Sequence, residues 1–128
     1  MTVAYLGTSA AMKLVIEATE SEALVAALTD SSRRLAASWL LHTELHCAAG
    51  RHRAINSIDA ITAVLDAVTL VDVTRGDLLA AGTHAPLRSN EAIHLATALR
   101  IGADEIVTYD DELARAAATA GIRAVAPA

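Results

Sequence analysis

Short runs of Val, Ile and Leu alternate along this chain with segments whose apolar residues recur at intervals of three and four. That alternation leaves few folds open. Thr2-Val3-Ala4-Tyr5-Leu6 is an apolar run closed by Gly7 and reads as a buried strand. Arg34 to Ser38, Thr69 to Val73, Glu105 to Thr108 and Arg123 to Val125 read as four more. Between them the spacing predicts helices from Thr8 or Ser9 to Val15, from Thr19 or Ser21 through Leu28, and from Leu40 to Ala49 with Gly50 as the C-terminal stop. Further helices are expected over Ser57 to Ala67, Asp77 to Thr83, Ser89 to Arg100 and Asp110 to Ala120, with Gly102 and Gly121 ending the last two. Strands separated by helices pair in parallel, because the return crossing carries the chain back across one face of the sheet. The expected fold is therefore α/β, a three-layer α/β/α sandwich on a mostly parallel sheet of four to five strands. Residues 1–128 are expected to form a single domain.

The composition suits such a core. Hydrophobic residues make up 54% of the chain and aromatics only 2%, with no Phe, so Ala, Leu, Val and Ile must fill the interior. A net charge of −5 argues against gripping nucleic acid through overall charge, but leaves room for local basic patches or clustered acids offset by cations. No apolar run approaches the roughly 20 residues that span a bilayer. With one cysteine, Cys47, no internal disulfide is possible, and a soluble protein of the cytoplasm is expected, without membrane attachment. Cys47 itself reads as a small core residue.

In open parallel sheets, ligands bind beyond the carboxyl ends of the strands. Gly7-Thr8-Ser9 follows the first strand, Thr74 to Asp77 the third, and Tyr109-Asp110-Asp111 the fourth. Glu91 leads an apolar stripe continued by Leu95 and Leu99. Glu44 has Leu40 and Leu41 one turn before it and Ala48 one turn after. A carboxylate on an inward face needs a partner or an ion. Taken singly, each acid has a plainer reading: Glu91 as a first-turn acid, Glu44 as a partly exposed helical residue, Asp110 as a cap. Together they suggest an oxygen-lined pocket for a hard divalent cation, Mg²⁺ or Mn²⁺.

Four strings then resemble one family in order. Tyr5-Leu6-Gly7-Thr8-Ser9-Ala10 is similar to the PIN-domain opening, in which an Asp ends the first strand. Ser38-Trp39-Leu40-Leu41-His42-Thr43-Glu44-Leu45 resembles the second motif, whose Glu lies on the third helix. Arg88-Ser89-Asn90-Glu91-Ala92-Ile93-His94-Leu95-Ala96 resembles the third, normally written with Asp before Ala-Ile-His-Leu-Ala. Val107-Thr108-Tyr109-Asp110-Asp111-Glu112-Leu113 resembles the fourth. The resemblance is to VapC-type ribonuclease toxins, and it implies a metal-dependent endoribonuclease acting on tRNA or other structured RNA. It also implies a homodimer and a cognate VapB-type antitoxin. By position, Glu44, Glu91 and Asp110 would be the site carboxylates and ligands of Mg²⁺ or Mn²⁺. Ser9, Thr108 and Asp111 would support them.

Two positions depart from the family. Gly7 stands where the leading Asp is usual, so a ligand is lost. Glu91 stands where Asp is usual, which keeps the charge and moves its oxygens by one methylene. Weak metal binding and slow RNA cleavage are expected, and Gly7→Asp is expected to raise both. A catalytically inactive module that only engages antitoxin or RNA is the alternative. Arg51, Arg53 and Arg88 are candidate RNA contacts, and the apolar region around Met12, Leu14 and Val15 is a candidate partner surface. His42, His46 and His94, set in apolar helices, read as satisfied structural residues. A phospho-acceptor receiver domain would want a late Lys, and Lys13 is the only lysine. A dinucleotide-binding domain fails because Gly7-Thr8-Ser9-Ala10-Ala11 lacks further glycines.

Overall fold

The computed structural model describes residues 1–16, 20–30, 32–51 and 58–128. Five strands, β1 (Thr2–Leu6), β2 (Arg33–Ser38), β3 (Thr69–Val71), β4 (Glu105–Val107) and β5 (Arg123–Val125), form one sheet in the order β3-β2-β1-β4-β5. All four pairings are parallel. The helices are α1 (Thr8–Val15), α2 (Ser21–Leu28), α3 (Leu40–Arg51), α4 (Ile58–Asp66), α5 (Arg75–Ala81), α6 (Ser89–Arg100) and α7 (Asp111–Thr119). They complete the three-layer α/β/α arrangement, α1 packing with α2, α3 and α4, and α6 with α5 and α7. No helix among the described residues is long and apolar enough to cross a membrane.

The core is built as the composition demands. Tyr5, Leu6, Leu24, Leu41, Leu45, Ile61, Leu95 and Ile106 are fully buried, with Ala10, Ala11, Ala37, Ala98 and Ala117 between them. The small alanines let helices approach the sheet closely, and each buried leucine or isoleucine stabilises the fold by about 1.5–3 kcal/mol.

Several element ends differ from the sequence expectation, each for a local reason. Neither Thr8 nor Ser9 caps α1: Gly7 holds the cap position without a side-chain bond, because both hydroxyls turn to tertiary partners. Glu20 rather than Ser21 precedes α2, the Ser21 hydroxyl donating to the Lys13 carbonyl. Helix α5 begins at Arg75, two residues earlier than expected. Thr74 accepts from the Asp77 N–H, and the Asp77 side chain accepts from the Thr74 N–H, a reciprocal cap. Helix α6 does run from Ser89 to Arg100 as expected, with Arg88 at the cap position and no side-chain bond there. Gly50 does not stop α3, which continues to Arg51; buried Leu41, Leu45 and Ala48 outweigh the roughly 1 kcal/mol that a helical glycine costs. Arg51 thus lies within α3, and Arg53 lies outside the described residues. Cys47 is exposed, contrary to its reading as a core residue, because the buried face of α3 passes through Leu45 and Ala48.

Candidate active site

Strand β1 sits between β2 and β4, and the chain reaches its two neighbours by connections that run in opposite directions along the sheet. The carboxyl ends of β1 and β4 therefore flank a topological switch point, where open α/β sheets leave a crevice. The register brings Leu6 beside Val107, and the Gly7 N–H donates to the Val107 carbonyl at 2.8 Å. The two backbones then stay close enough for side chains just beyond them to bond. Ser9 Oγ and Thr108 Oγ1 are 3.1 Å apart, and Ser9 Oγ accepts from the Tyr109 N–H at 2.8 Å. Thr108 Oγ1 accepts from the Asp110 N–H at 3.1 Å, and Asp110 Oδ1 accepts from the Leu113 N–H at 2.8 Å. Asp110 thus caps α7 and at the same time stands at the mouth of the crevice.

A cleft of about 220 Å³ opens there, lined by Leu87, Arg88, Glu91, Asp110, Asp111 and Glu112. Glu91 and Asp110, far apart in sequence, meet in it because α6 starts beside the β4–α7 turn. Both are half-buried, whereas Asp111 and Arg88 are exposed. Four carboxylates against one guanidinium make the cleft acidic.

Glu44 is not in that cleft. It lines a neighbouring cavity of about 440 Å³ with Thr8, Met12, Leu40, Thr43, Cys47, Ala48, Arg51 and Asn90. Its Oε1 lies 2.5 Å from His94 Nε2 and accepts from Thr8 Oγ1 at 2.8 Å, while Asn90 Nδ2 reaches Oε2 at 3.5 Å. Burial pushes the Glu44 carboxyl up, but the bonds from His94, Thr8 and Asn90 outweigh it and hold the group below the usual carboxylate range. Behind it, His94 Nδ1 is 2.6 Å from the Tyr5 hydroxyl, and the Tyr5 oxygen accepts from the Ser38 N–H at 3.1 Å. Burial pushes the Tyr5 phenol up to about 12, so it stays protonated at neutral pH.

The expected convergence of three acids is therefore split: Glu91 and Asp110 share one cleft, and Glu44 faces the next. Thr8 and Asn90, absent from the sequence reading of the site, both bond Glu44 and line its cavity. The available signal for Thr8 was its place in the Gly7-Thr8-Ser9 string just beyond the first strand. Asn90 carried none.

Among the described residues no three His, Cys, Asp or Glu side chains gather closely enough to hold a metal ion. Gly7 contributes no side chain, and a β-carbon built on it would lie 2.9 Å from the Val107 carbonyl oxygen. The described residues as they stand thus gather acids in one cleft without forming a closed ligand set for a divalent cation.

The comparisons with known proteins agree with this architecture. The PIN domain model matches residues 4–119. The chain belongs to the PIN-domain family. Its relatives place this PIN domain in the VapC group. It is 35% identical over 139 residues to Ribonuclease VapC46 of Mycobacterium tuberculosis, covering 99% of each chain. It is 37% identical over 130 residues to Ribonuclease VapC35 of the same species, covering 96% of each. Among solved structures, VapBC2 from Rickettsia felis, bound to a DNA fragment from its promoter, superposes with a TM-score of 0.76 at 12% identity. That match covers 99% of this chain and 100% of the other. The Mycobacterium tuberculosis VapC20, a Sarcin-Ricin loop cleaving toxin, gives 0.75 at 15% identity, with 97% of this PIN domain and 99% of that chain covered. At such identities these structures speak for the fold.

Proposed function

We propose that this PIN domain is an RNA-cleaving toxin of the VapC type, slow as written, and that its 128 residues act as one domain. The observation that carries the reading is the meeting of Glu91 and Asp110 at the switch point, in a chain whose curated relatives are ribonucleases. The proposed substrate is structured RNA in the cytoplasm, with a VapB-type antitoxin as restraining partner and a homodimer as the working form. An apolar groove of about 340 Å³ between α1, α2 and α4, lined by Leu14, Val25, Leu28, Val64 and Val68 among others, supports a protein partner.

PIN-domain ribonucleases generally use divalent metals, and the ion proposed is Mg²⁺ or Mn²⁺ drawn weakly from solution. An acidic cleft repels phosphate unless cations offset it, and Arg88 is the single basic side chain in its lining. Glu91, Asp110 and Asp111 would favour such an ion. Thr108 and Ser9 would fix the Asp110 turn. Glu44 would act from the adjoining cavity, beside Thr8 and Asn90.

The test is cleavage of a structured RNA in Mn²⁺ by the chain, by Glu91→Gln and by Asp110→Asn. The Asn variant keeps a good helix cap, so it reports on charge more than on folding. Slow cleavage lost in both variants is expected. A second reading, an inactive PIN-fold module that engages antitoxin or RNA, draws on the close approach at Gly7. Absence of cleavage together with retained RNA binding would favour it.

A further inference from the structure

We propose that His94, oriented by Tyr5, is a positioning residue that holds the Glu44 carboxylate at the wall of its cavity. The donors along one buried chain of atoms fix this role. An ionised carboxylate only accepts hydrogen bonds, so the 2.5 Å contact between His94 Nε2 and Glu44 Oε1 places the ring hydrogen on Nε2. Nδ1 is then the acceptor, and the Tyr5 hydroxyl 2.6 Å away is its donor. The Tyr5 oxygen in turn takes the Ser38 N–H at 3.1 Å. Every hydrogen in the relay runs the same way, from the β2 backbone through β1 and α6 to α3. The tautomer is assigned from these partners rather than from a visible hydrogen.

The surroundings leave the ring little freedom. His94 is 2% exposed and Tyr5 fully buried, and their rings meet edge to face with centroids 5.6 Å apart. Thr8 Oγ1 completes the clamp, donating to Glu44 Oε1 and standing 3.2 Å from His94 Nε2. His94 also lies one helical turn after Glu91 on α6. The relay therefore fixes the α3 carboxylate relative to the helix that carries the cleft carboxylate, even though the two acids occupy different cavities. A carboxylate held from behind by a fixed imidazole is preorganised; where such a partner supports a metal ligand, its loss commonly costs about 10- to 100-fold in metal affinity or activity.

Two arms test this, and only the second rests on the nuclease reading. In the first, ring ¹⁵N shifts at neutral pH should show a protonated Nε2 and an accepting Nδ1 for His94. Tyr5→Phe should leave the ring hydrogen on Nε2, still held by Glu44, and move the Nδ1 signal to that of a nitrogen without a hydrogen-bond donor. In the second, Mn²⁺-dependent RNA cleavage by Tyr5→Phe should fall roughly tenfold in kcat with KM within about twofold. His94→Gln, whose amide still donates to Glu44, should retain much more activity than His94→Leu. A proton on Nδ1 in the unsubstituted chain, or unchanged kcat in both Tyr5→Phe and His94→Leu, would overturn the proposal. If the unsubstituted chain cleaves nothing, the nuclease reading fails, and the ring signals alone decide the positioning role. His94→Leu risks misfolding, so Tyr5→Phe, which removes one oxygen, is the deciding variant.

Discussion

Gly7 passes so close to Val107 that a β-carbon on the glycine would stand 2.9 Å from the Val107 carbonyl oxygen, with Thr108 Cβ at 3.3 Å. The obstacle is backbone, and the Gly7 N–H already bonds that same oxygen at 2.8 Å. The φ of −75° and ψ of 157° at Gly7 suit any residue, so the constraint is space and not backbone conformation.

Gly7→Ala should therefore destabilise the fold by about 1–3 kcal/mol, the usual range for overpacking, measured by urea denaturation. Gly7→Asp should cost more than Ala, because its charge joins the acidic crevice. The difference between the two variants should shrink when Mn²⁺ is added. An Asp variant as stable as the unsubstituted chain without metal would show that β1 and β4 yield freely. The gain in metal affinity and cleavage expected from Gly7→Asp must be measured against this steric cost.

Asp77 predicts an acid-sensitive limb of stability. It is 2% exposed, and Arg100 Nε donates to its Oδ1 at 2.8 Å. Burial pushes its carboxyl up, but the Arg100 bond, the Thr74 N–H and the Arg100 charge outweigh this and leave it below the usual carboxylate range. A depressed folded value means the unfolded chain binds the proton more readily. The stability Asp77 contributes is thus fully present above the unfolded value of about 3.9 and is lost as pH falls through the folded one. Asp77→Asn should cost about 1–2 kcal/mol at pH 7, after allowing for the solvent screening of the partly exposed Arg100. The deficit should narrow toward pH 3, as read from urea midpoints across that range.

Glu105 separates two arginines by burial. Its side chain is 5% exposed and meets Arg33 Nε at 2.5 Å and Arg123 Nη2 at 3.3 Å. Arg33 is itself 16% exposed and also donates to the Ala27 carbonyl, whereas Arg123 is 72% exposed. Arg33→Ala leaves the buried carboxylate to the exposed Arg123 and should cost up to about 3–5 kcal/mol. Arg123→Ala should cost less than about 1 kcal/mol. Equal effects in thermal or urea melts would show that Glu105 is satisfied by solvent.

Arg88 gives an RNA-binding prediction tied to place. It lines the acidic cleft, while Arg123, near the opposite ends of the strands, serves as the control. Arg88→Ala should weaken RNA binding and lower the slope of log K against log salt by about 0.7–0.9 if one phosphate contact is lost. Arg123→Ala should leave that slope unchanged. Filter binding at several salt concentrations distinguishes the two.

The local sequence determined the elements and the kinds of chemistry available. Apolar runs of strand length, helical spacing around Leu24, Leu41, Ile61 and Leu95, and the glycines at 102 and 121, whose φ values are +70° and +93°, are properties of neighbouring residues. They could be read without a partner in view. The family motifs likewise singled out Glu44, Glu91 and Asp110. Helical periodicity told which face each acid shared, but not what lay opposite it. That was decided by the strand order β3-β2-β1-β4-β5, which set Gly7 beside Val107, joined Glu91 to Asp110, and turned Glu44 toward His94 and Thr8. A parallel sheet lays chain segments about a hundred residues apart side by side, and contacts of that range leave no periodic trace in the sequence.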